Sequence, residues 1–335
     1  MNSLDRVSAA IHMQPVDRTP VIPLIAGWTA GFTGRKLNDY LLGGDCMAAC
    51  LLEAQERLGH DAMLIFADIA LEAEAAGTKL EYVEGQHPNL AEYAVNATED
   101  VARLRLPDPQ ESGRMPGALE ACSIMRQSVR DEVGVVGLVT GPMSIAANLT
   151  FIGDLLYMIA DDPAAFRALL DFALEVSAVY AASLITAGAH CISIADPAGT
   201  PTALPKDIFR EEYIPRAHRL VERVKESGSP AVGFFLWGLG PDTLPDCAST
   251  GADVLHLDHQ IPLKNAFSIV PDKCVAGNIK AYAFANDSPA LMKSACREAI
   301  ELSQGRNGYI LASGGEVPLD AKAENIAAMI ETARS

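Results

Sequence analysis

What this chain lacks narrows its function before any motif is found. Its seven cysteines are scattered and form no CxxC pair, so the spacing encodes neither a disulfide framework nor a paired-thiol metal knuckle. Reduced thiols in a cytoplasm are the expectation. Basic residues are scarce: 26 Lys and Arg against 43 Asp and Glu give a formal net charge of −17. That removes the basic footprint that nucleic acid or an anionic membrane surface requires, and the excess acidity serves solubility. No apolar run reaches the roughly 18–20 residues that span a bilayer. The opening Met1-Asn-Ser-Leu-Asp-Arg6 does not have the basic-then-apolar layout of a secretory leader. There is no GxGxxG after a strand, no P-loop, no HExxH and no GxSxG, and Gly233 with Gly238-Leu-Gly240 is too sparse for a phosphate cradle. Tryptophan occurs only twice, which gives weight to where Trp28 and Trp237 fall.

What is present is a hydrophobic content of 49% over 335 residues, enough for a large core in one domain. Eight short apolar runs recur: 21–25, 62–66, 134–139, 191–195, 231–236, 253–256, 273–278 and 309–312. Near-continuous apolar runs suit strands buried on both faces, as in a parallel sheet. Amphipathic stretches separate them. The clearest runs from Pro163 to Ala187, with Phe166, Leu169, Leu170, Ala173, Val176, Val179, Tyr180 and Leu184 near helical spacing and Asp161-Asp-Pro163 as its start. Eight βα units in series predict a single (β/α)8 TIM barrel over residues 1–335, with a doubly wound open sheet as the competing topology. Residues 69 to 110 interrupt the second unit. Lys79–Val83 and Ala91–Val95 flank Gly85-Gln-His-Pro88, a hairpin-like insertion after strand 2 expected to cover part of the barrel mouth.

In such a barrel the chemistry sits at the C-terminal strand ends. Those ends carry Ala26, Gly27 and Trp28; Asp68; Thr140, Gly141 and Pro142; Asp196 and Pro197; Trp237 and Gly238; His256 and Asp258; Asn278; and Ser313, Gly314 and Gly315. Asp68 and Asp196 closely follow apolar runs, where burial raises a carboxyl pKa and suits acid–base work or substrate anchoring; capping of the next helix is the competing reading. Trp28, Phe235 and Trp237 could make a flat apolar wall for a planar ligand, with core packing as the alternative. His256, Asp258 and His259 form a local cluster that a metal would need further ligands to use, structural hydrogen bonding being the plainer reading.

Arg6-Val-Ser-Ala-Ala-Ile-His-Met-Gln-Pro-Val-Asp-Arg-Thr-Pro-Val21, Leu58-Gly-His-Asp-Ala-Met-Leu-Ile-Phe-Ala-Asp68, Glu72-Ala-Glu-Ala-Ala-Gly77, Gly141-Pro142, Asp196-Pro-Ala-Gly199, Gly277-Asn278, and Tyr309-Ile-Leu-Ala-Ser-Gly-Gly-Glu-Val-Pro318 leading into Asn325-Ile-Ala-Ala-Met-Ile330 together resemble the uroporphyrinogen decarboxylase superfamily, especially its corrinoid methyltransferase branch. The resemblance covers nearly the whole chain. It implies an active-site role for Asp68, with Asp196 as a second catalytic candidate. Together with the strand-end positions it gives a candidate substrate pocket of Trp28, Phe235, Trp237, His256, Asn278, Ser313, Gly314 and Gly315.

The zinc methyltransferases of this superfamily use a His-x-Cys pair after strand five and a Cys after strand eight; the matching positions here are Phe235, Trp237 and Gly315. No metal is therefore expected at that place, unless His256 or His259 builds a different site. The decarboxylases hold the substrate's carboxylates with arginines after the first strand, where this chain has none before Arg35, and their C-terminal His has no counterpart in Ser313-Gly-Gly315. The expectation is an enzyme that moves a methyl group between a small molecule and a cobamide. The corrinoid would be carried by a partner protein, and the apolar helices permit a homodimer. A decarboxylase-type lyase and a non-catalytic small-molecule-binding barrel are the alternatives.

Overall fold

A computed structural model describes every residue except Leu239 and the side chain of Leu236. Its strands in chain order are β1 (Val21–Ile22), β2 (Ala62–Ile65), β3 (Lys79–Glu81), β4 (Asn89–Glu92), β5 (Gly134–Thr140), β6 (Cys191–Ala195), β7 (Val232–Leu236), β8 (Val254–Leu257), β9 (Cys274–Ile279) and β10 (Tyr309–Ser313). Eight of them form one parallel sheet in the order β1-β10-β9-β8-β7-β6-β5-β2. The ring closes between the two ends of that order, where the Asp61 N–H donates to the Val21 carbonyl at 2.9 Å. The architecture is the (β/α)8 barrel, and the open-sheet alternative falls away.

The strands alternate as a barrel requires. Met63, Ile65, Val135, Val139, Ile192 and Ile194 join the large core between strands and helices. Leu24, Ala26, Leu64, Phe66, Leu138, Ala195 and Phe235 form a separate cluster inside the ring toward its C-terminal end. β1 is shorter than its apolar run because Pro23 has no N–H to continue the ladder. At the other end, fully buried Asp61 accepts from Arg6 at 2.7 Å, Arg18 at 2.8 Å, Ser3 at 2.8 Å and the Val21 N–H at 2.9 Å, locking the N-terminal helix under the barrel.

The helix Pro163–Ala187 has the predicted bounds, with the Asp162 side chain accepting from the Ala165 N–H at 3.0 Å and Gly188 closing it in the left-handed region. Although no uninterrupted apolar run is long enough, this helix is long and apolar enough, by length and composition, to cross a membrane. Here it is a core helix. Its charged positions Arg167, Asp171 and Glu175 pair with Glu212, Arg216 and Arg223 on the following helical segments. The insertion after β2 is the expected hairpin: β3 and β4 pair antiparallel, with Leu80 opposite Leu90 and an irregularity beside Lys79. All seven cysteines are free.

Candidate active site at the barrel mouth

The C-terminal ends of the strands open on a cavity of about 190 Å³. Its wall is apolar: Leu24 and Ala26 beyond β1, Leu64 and Phe66 on β2 and just beyond it, Leu138, Ala195, and the aromatic pair Phe235 and Trp237, with Ile69 and Pro197 at the rim. No Lys or Arg lines it, and one ionisable side chain does, Glu316. The Phe235 and Trp237 rings lie 3.9 Å apart between centroids, and the His256 ring stacks on the other side of Phe235 at 4.1 Å.

The last turn fixes this wall. Ser313 Oγ accepts from the Leu24 N–H at 3.0 Å and donates to the Gly315 carbonyl at 2.7 Å, tying the β1 loop to the end of β10. His256 Nε2 lies 2.7 Å from the Ser313 carbonyl, so that nitrogen carries the proton. Burial lowers the His256 pKa to about 4, which keeps the ring neutral near pH 7. Gly314 is demanded by space: a Cβ there would stand 3.0 Å from the His259 nitrogen and 3.1 Å from the Asp258 Cα. Gly315 is not so demanded, since its Cβ would meet Trp237 Nε1 at 3.4 Å and Ala281 at 3.5 Å, ordinary contacts.

Glu316 did not stand out in the sequence. Its side chain is 32% exposed and its Oε1 lies 3.6 Å from His87 Nε2. Oε1 itself is enclosed and has no hydrogen-bond partner. Burial, with the negative charge of Asp68 adding to it, pushes the Glu316 pKa up to about 8. His87 arrives on the turn between β3 and β4. A Cβ on Gly27 would come within 3.2 Å of its ring, so this is where the hairpin tip sits on the barrel.

The carboxylates flagged from sequence are arranged differently. Asp68 is 5% exposed and takes two hydrogen bonds from Arg114, at 2.6 and 3.2 Å. Arg114 also donates to Glu74 at 2.7 Å, and Tyr82 donates to the other Glu74 oxygen at 2.7 Å. Asp68 therefore stands behind the cavity wall in an ion network. Arg114 lies on the turn before the helix Met115–Val129, where no periodic pattern marks it. Asp196 is fully buried and accepts from Met143 N at 3.0 Å, Ser144 N at 2.8 Å, Ser144 Oγ at 2.6 Å and Gly199 N at 3.2 Å. Burial raises its pKa against the pull of those hydrogen bonds. It caps the helix Pro142–Leu149, which follows β5 rather than β6. A Cβ on Gly141 would collide with Asp196 at 2.4 Å, which accounts for the glycine before Pro142. Glu72 is a third buried carboxyl, accepting from the Thr140 N–H at 2.7 Å and hydroxyl at 2.8 Å, with burial pushing its pKa up to about 7.

Of the eight expected pocket residues, Phe235 and Trp237 line this cavity; His256, Ser313, Gly314 and Gly315 stand behind its wall, and Trp28 and Asn278 face elsewhere. Trp28 is 4% exposed, stacks on Phe32 at 4.7 Å and donates to the Ala321 carbonyl at 2.8 Å. It belongs to the core, and the wall expected from both tryptophans contains only Trp237. Asn278 donates to the Ile261 carbonyl at 2.6 Å on the side of the barrel where His259 and Lys280 lie. Asp258 accepts from the Gly238 N–H at 2.8 Å and the Gln260 N–H at 2.9 Å. His256 points inward and His259 is exposed, so the two do not converge. Among the described residues no three His, Cys, Asp or Glu side chains gather as a metal site would need. Phe235, Trp237 and Gly315 do meet, but a phenyl, an indole and a bare Cα offer a metal no donor.

A family model for uroporphyrinogen decarboxylase (URO-D) matches residues 2–335, and the chain belongs to this family. The relatives divide between two activities. The chain is 27% identical to the uroporphyrinogen decarboxylase of Vibrio cholerae, over 98% of this chain and 95% of that one. It is 24% identical to methylcobamide:CoM methyltransferase MtbA of Methanosarcina acetivorans, over 99% and 97%. Among solved structures, a methyltransferase from Methanosarcina mazei superposes with a TM-score of 0.91 at 23% identity, covering 100% of this chain and 98% of that one. A B12-independent methionine synthase from Shewanella sp. W3-18-1 has a TM-score of 0.59 at 14% identity, covering 87% of each chain. Members of the superfamily are enzymes, decarboxylases or methyltransferases.

Proposed function

We propose that this chain is a methyltransferase that moves a methyl group between a small apolar molecule, methoxylated or of the methylamine type, and a corrinoid held by a separate carrier protein. The cavity carries this reading: it is small, apolar and free of lining cations. A tetrapyrrole bearing many carboxylates needs bidentate guanidinium partners. The arginines nearest to that duty are spent, Arg114 on Asp68 and Glu74 and Arg35 on Glu53 at 2.8 Å. The relatives include both activities, decarboxylases at 27% and MtbA at 24% identity, so the choice between them rests on the cavity.

A corrinoid is broad and flat, and the rim residues that would meet it are Ile69, which is 41% exposed, with Pro197 and Trp237. When bound, it supplies the cobalt that takes or gives the methyl group. The residues of this chain do the rest. Phe235 and Trp237 hold the small molecule flat, the apolar wall keeps water away, and Asp68 holds the β2 side of the mouth through Arg114. The zinc route to a thiolate does not fit this donor set, and no step is assigned to zinc.

The test is methyl transfer with the purified chain, a corrinoid carrier protein and a panel of methoxylated and methylamine donors, followed by the corrinoid absorption spectrum. Transfer from at least one donor is expected. A chain that such compounds stabilise thermally, but that transfers nothing, would be a binding barrel and the reading would fall.

A further inference from the structure

We infer that Glu316 is the proton donor to the leaving oxygen, and that the substrate it serves is a neutral methyl ether. This rests on the methyl-transfer reading above and specifies its chemistry. Glu316 is the one ionisable side chain on a wall otherwise made of apolar groups. The other strand-end acids are committed: Asp68 and Glu74 to Arg114, Asp196 to the cap at Met143 and Ser144, Glu72 to Thr140, and Asp258 to the Gly238 and Gln260 N–H groups. Glu316 Oε1 is enclosed without a partner. The groups facing its carboxyl are the Gly27 backbone N–H, His87 on the hairpin turn, 3.6 Å away, and the Asp68–Arg114 pair behind the wall. His87 and Glu316 are each about one-third exposed, 34% and 32%, so the carboxyl lies within reach of solvent beside His87.

The step balances as follows. The C–O bond to the methyl group breaks and its electron pair stays on oxygen. The methyl carbon goes to the electron pair of a reduced corrinoid on the carrier protein, which is the co-reactant. The Glu316 proton goes to the leaving oxygen, so R–OCH3 becomes R–OH and Glu316 is left as a carboxylate. A proton from solvent then restores it past His87. A methylammonium donor would leave as a neutral amine and need no acid. The ether is therefore the substrate class for which this residue has work to do.

The experiment compares wild type and Glu316→Gln in single turnovers with methoxybenzene and with 4-nitromethoxybenzene, whose phenolate leaves unaided. Methoxybenzene should lose roughly 10²–10⁴-fold in rate, and the nitro compound far less. Equal losses, or none, overturn the assignment. A second reading needs no corrinoid and no turnover: binding of methoxybenzene should shift a protonated-carboxyl C=O infrared band that Glu316→Gln lacks. Absence of such a band from wild type overturns the donor role, because an ionised Glu316 has no proton to give. A wild type that shows the band shift but transfers no methyl group sinks the methyl-transfer reading and with it the donor step, leaving Glu316 as an ether-binding acid.

Discussion

The mouth of this barrel has two unlike halves. On the β2 side, Asp68, Arg114, Glu74 and Tyr82 hold one another in a closed hydrogen-bonded network. On the side of β7 and β10, an apolar wall with the Phe235–Trp237 pair carries a single carboxylic acid, Glu316, whose Oε1 has no hydrogen-bond partner. The difference teaches that a buried acid is not by itself a reactive one. A carboxyl that already accepts two to four hydrogen bonds is bound into the scaffold. A carboxyl surrounded by apolar walls keeps its proton and has it to give.

Substitution in each half should separate the two kinds of acid. The largest effect is expected from Arg114→Met, which leaves Asp68 and Glu74 charged and unpaired. Loss of about 3–5 kcal/mol in chemical denaturation is expected, and a loss under about 1 kcal/mol would mean the network is not holding the β2 half together. Asp196→Ala should come next, at roughly 1–3 kcal/mol, because it strips the cap from Pro142–Leu149 and leaves buried N–H groups unpaired. Full stability with abolished turnover would instead return Asp196 to the catalytic list.

Glu72 gives a pH signature. Its carboxyl holds a proton in the folded chain up to about pH 7, whereas the unfolded carboxyl releases it near the ordinary 4.5. Its stabilising contribution is therefore present below pH 4.5 and is lost as the pH rises through 7. The urea midpoint of wild type should fall between pH 5 and pH 8 by more than that of Glu72→Gln, and parallel curves would refute the shift. The smallest effect is expected from Gly315→Ala. Its new methyl meets the Trp237 indole at an ordinary distance, so stability should stay within about 0.5 kcal/mol while Trp237 fluorescence changes. A large destabilisation would show that the turn needs glycine there after all.

The barrel was legible because its strands are buried on both faces and its helices on one, and both leave a periodic mark. The run at 21–25 overshot because periodicity does not register that Pro23 cannot donate. At the site, strand ends named the right neighbourhood but not which way each side chain turns. Trp28, Asp196 and Asn278 lie at the expected ends and are turned into packing or capping. Arg114 and Glu72 sit on a turn and a short helix, and their roles come from partners 46 and 68 residues away, which no local pattern encodes. Glu316 had one signal that could have been used. It is a lone acid between Gly314-Gly315 and Val317, directly after a fully buried strand.

The cavity is closed where the first and last barrel strands meet. The Leu24 N–H reaches Ser313 across 289 positions of sequence, and the Val317 N–H returns to the Leu24 carbonyl at 2.8 Å. A growing or partly folded chain holds most of the aromatic wall long before it holds Glu316, and the wall is not a pocket until β10 slots in beside β1. Ligand binding at the mouth would therefore report completed ring closure, and a chain cut before residue 309 would keep seven of the barrel strands with no site between them.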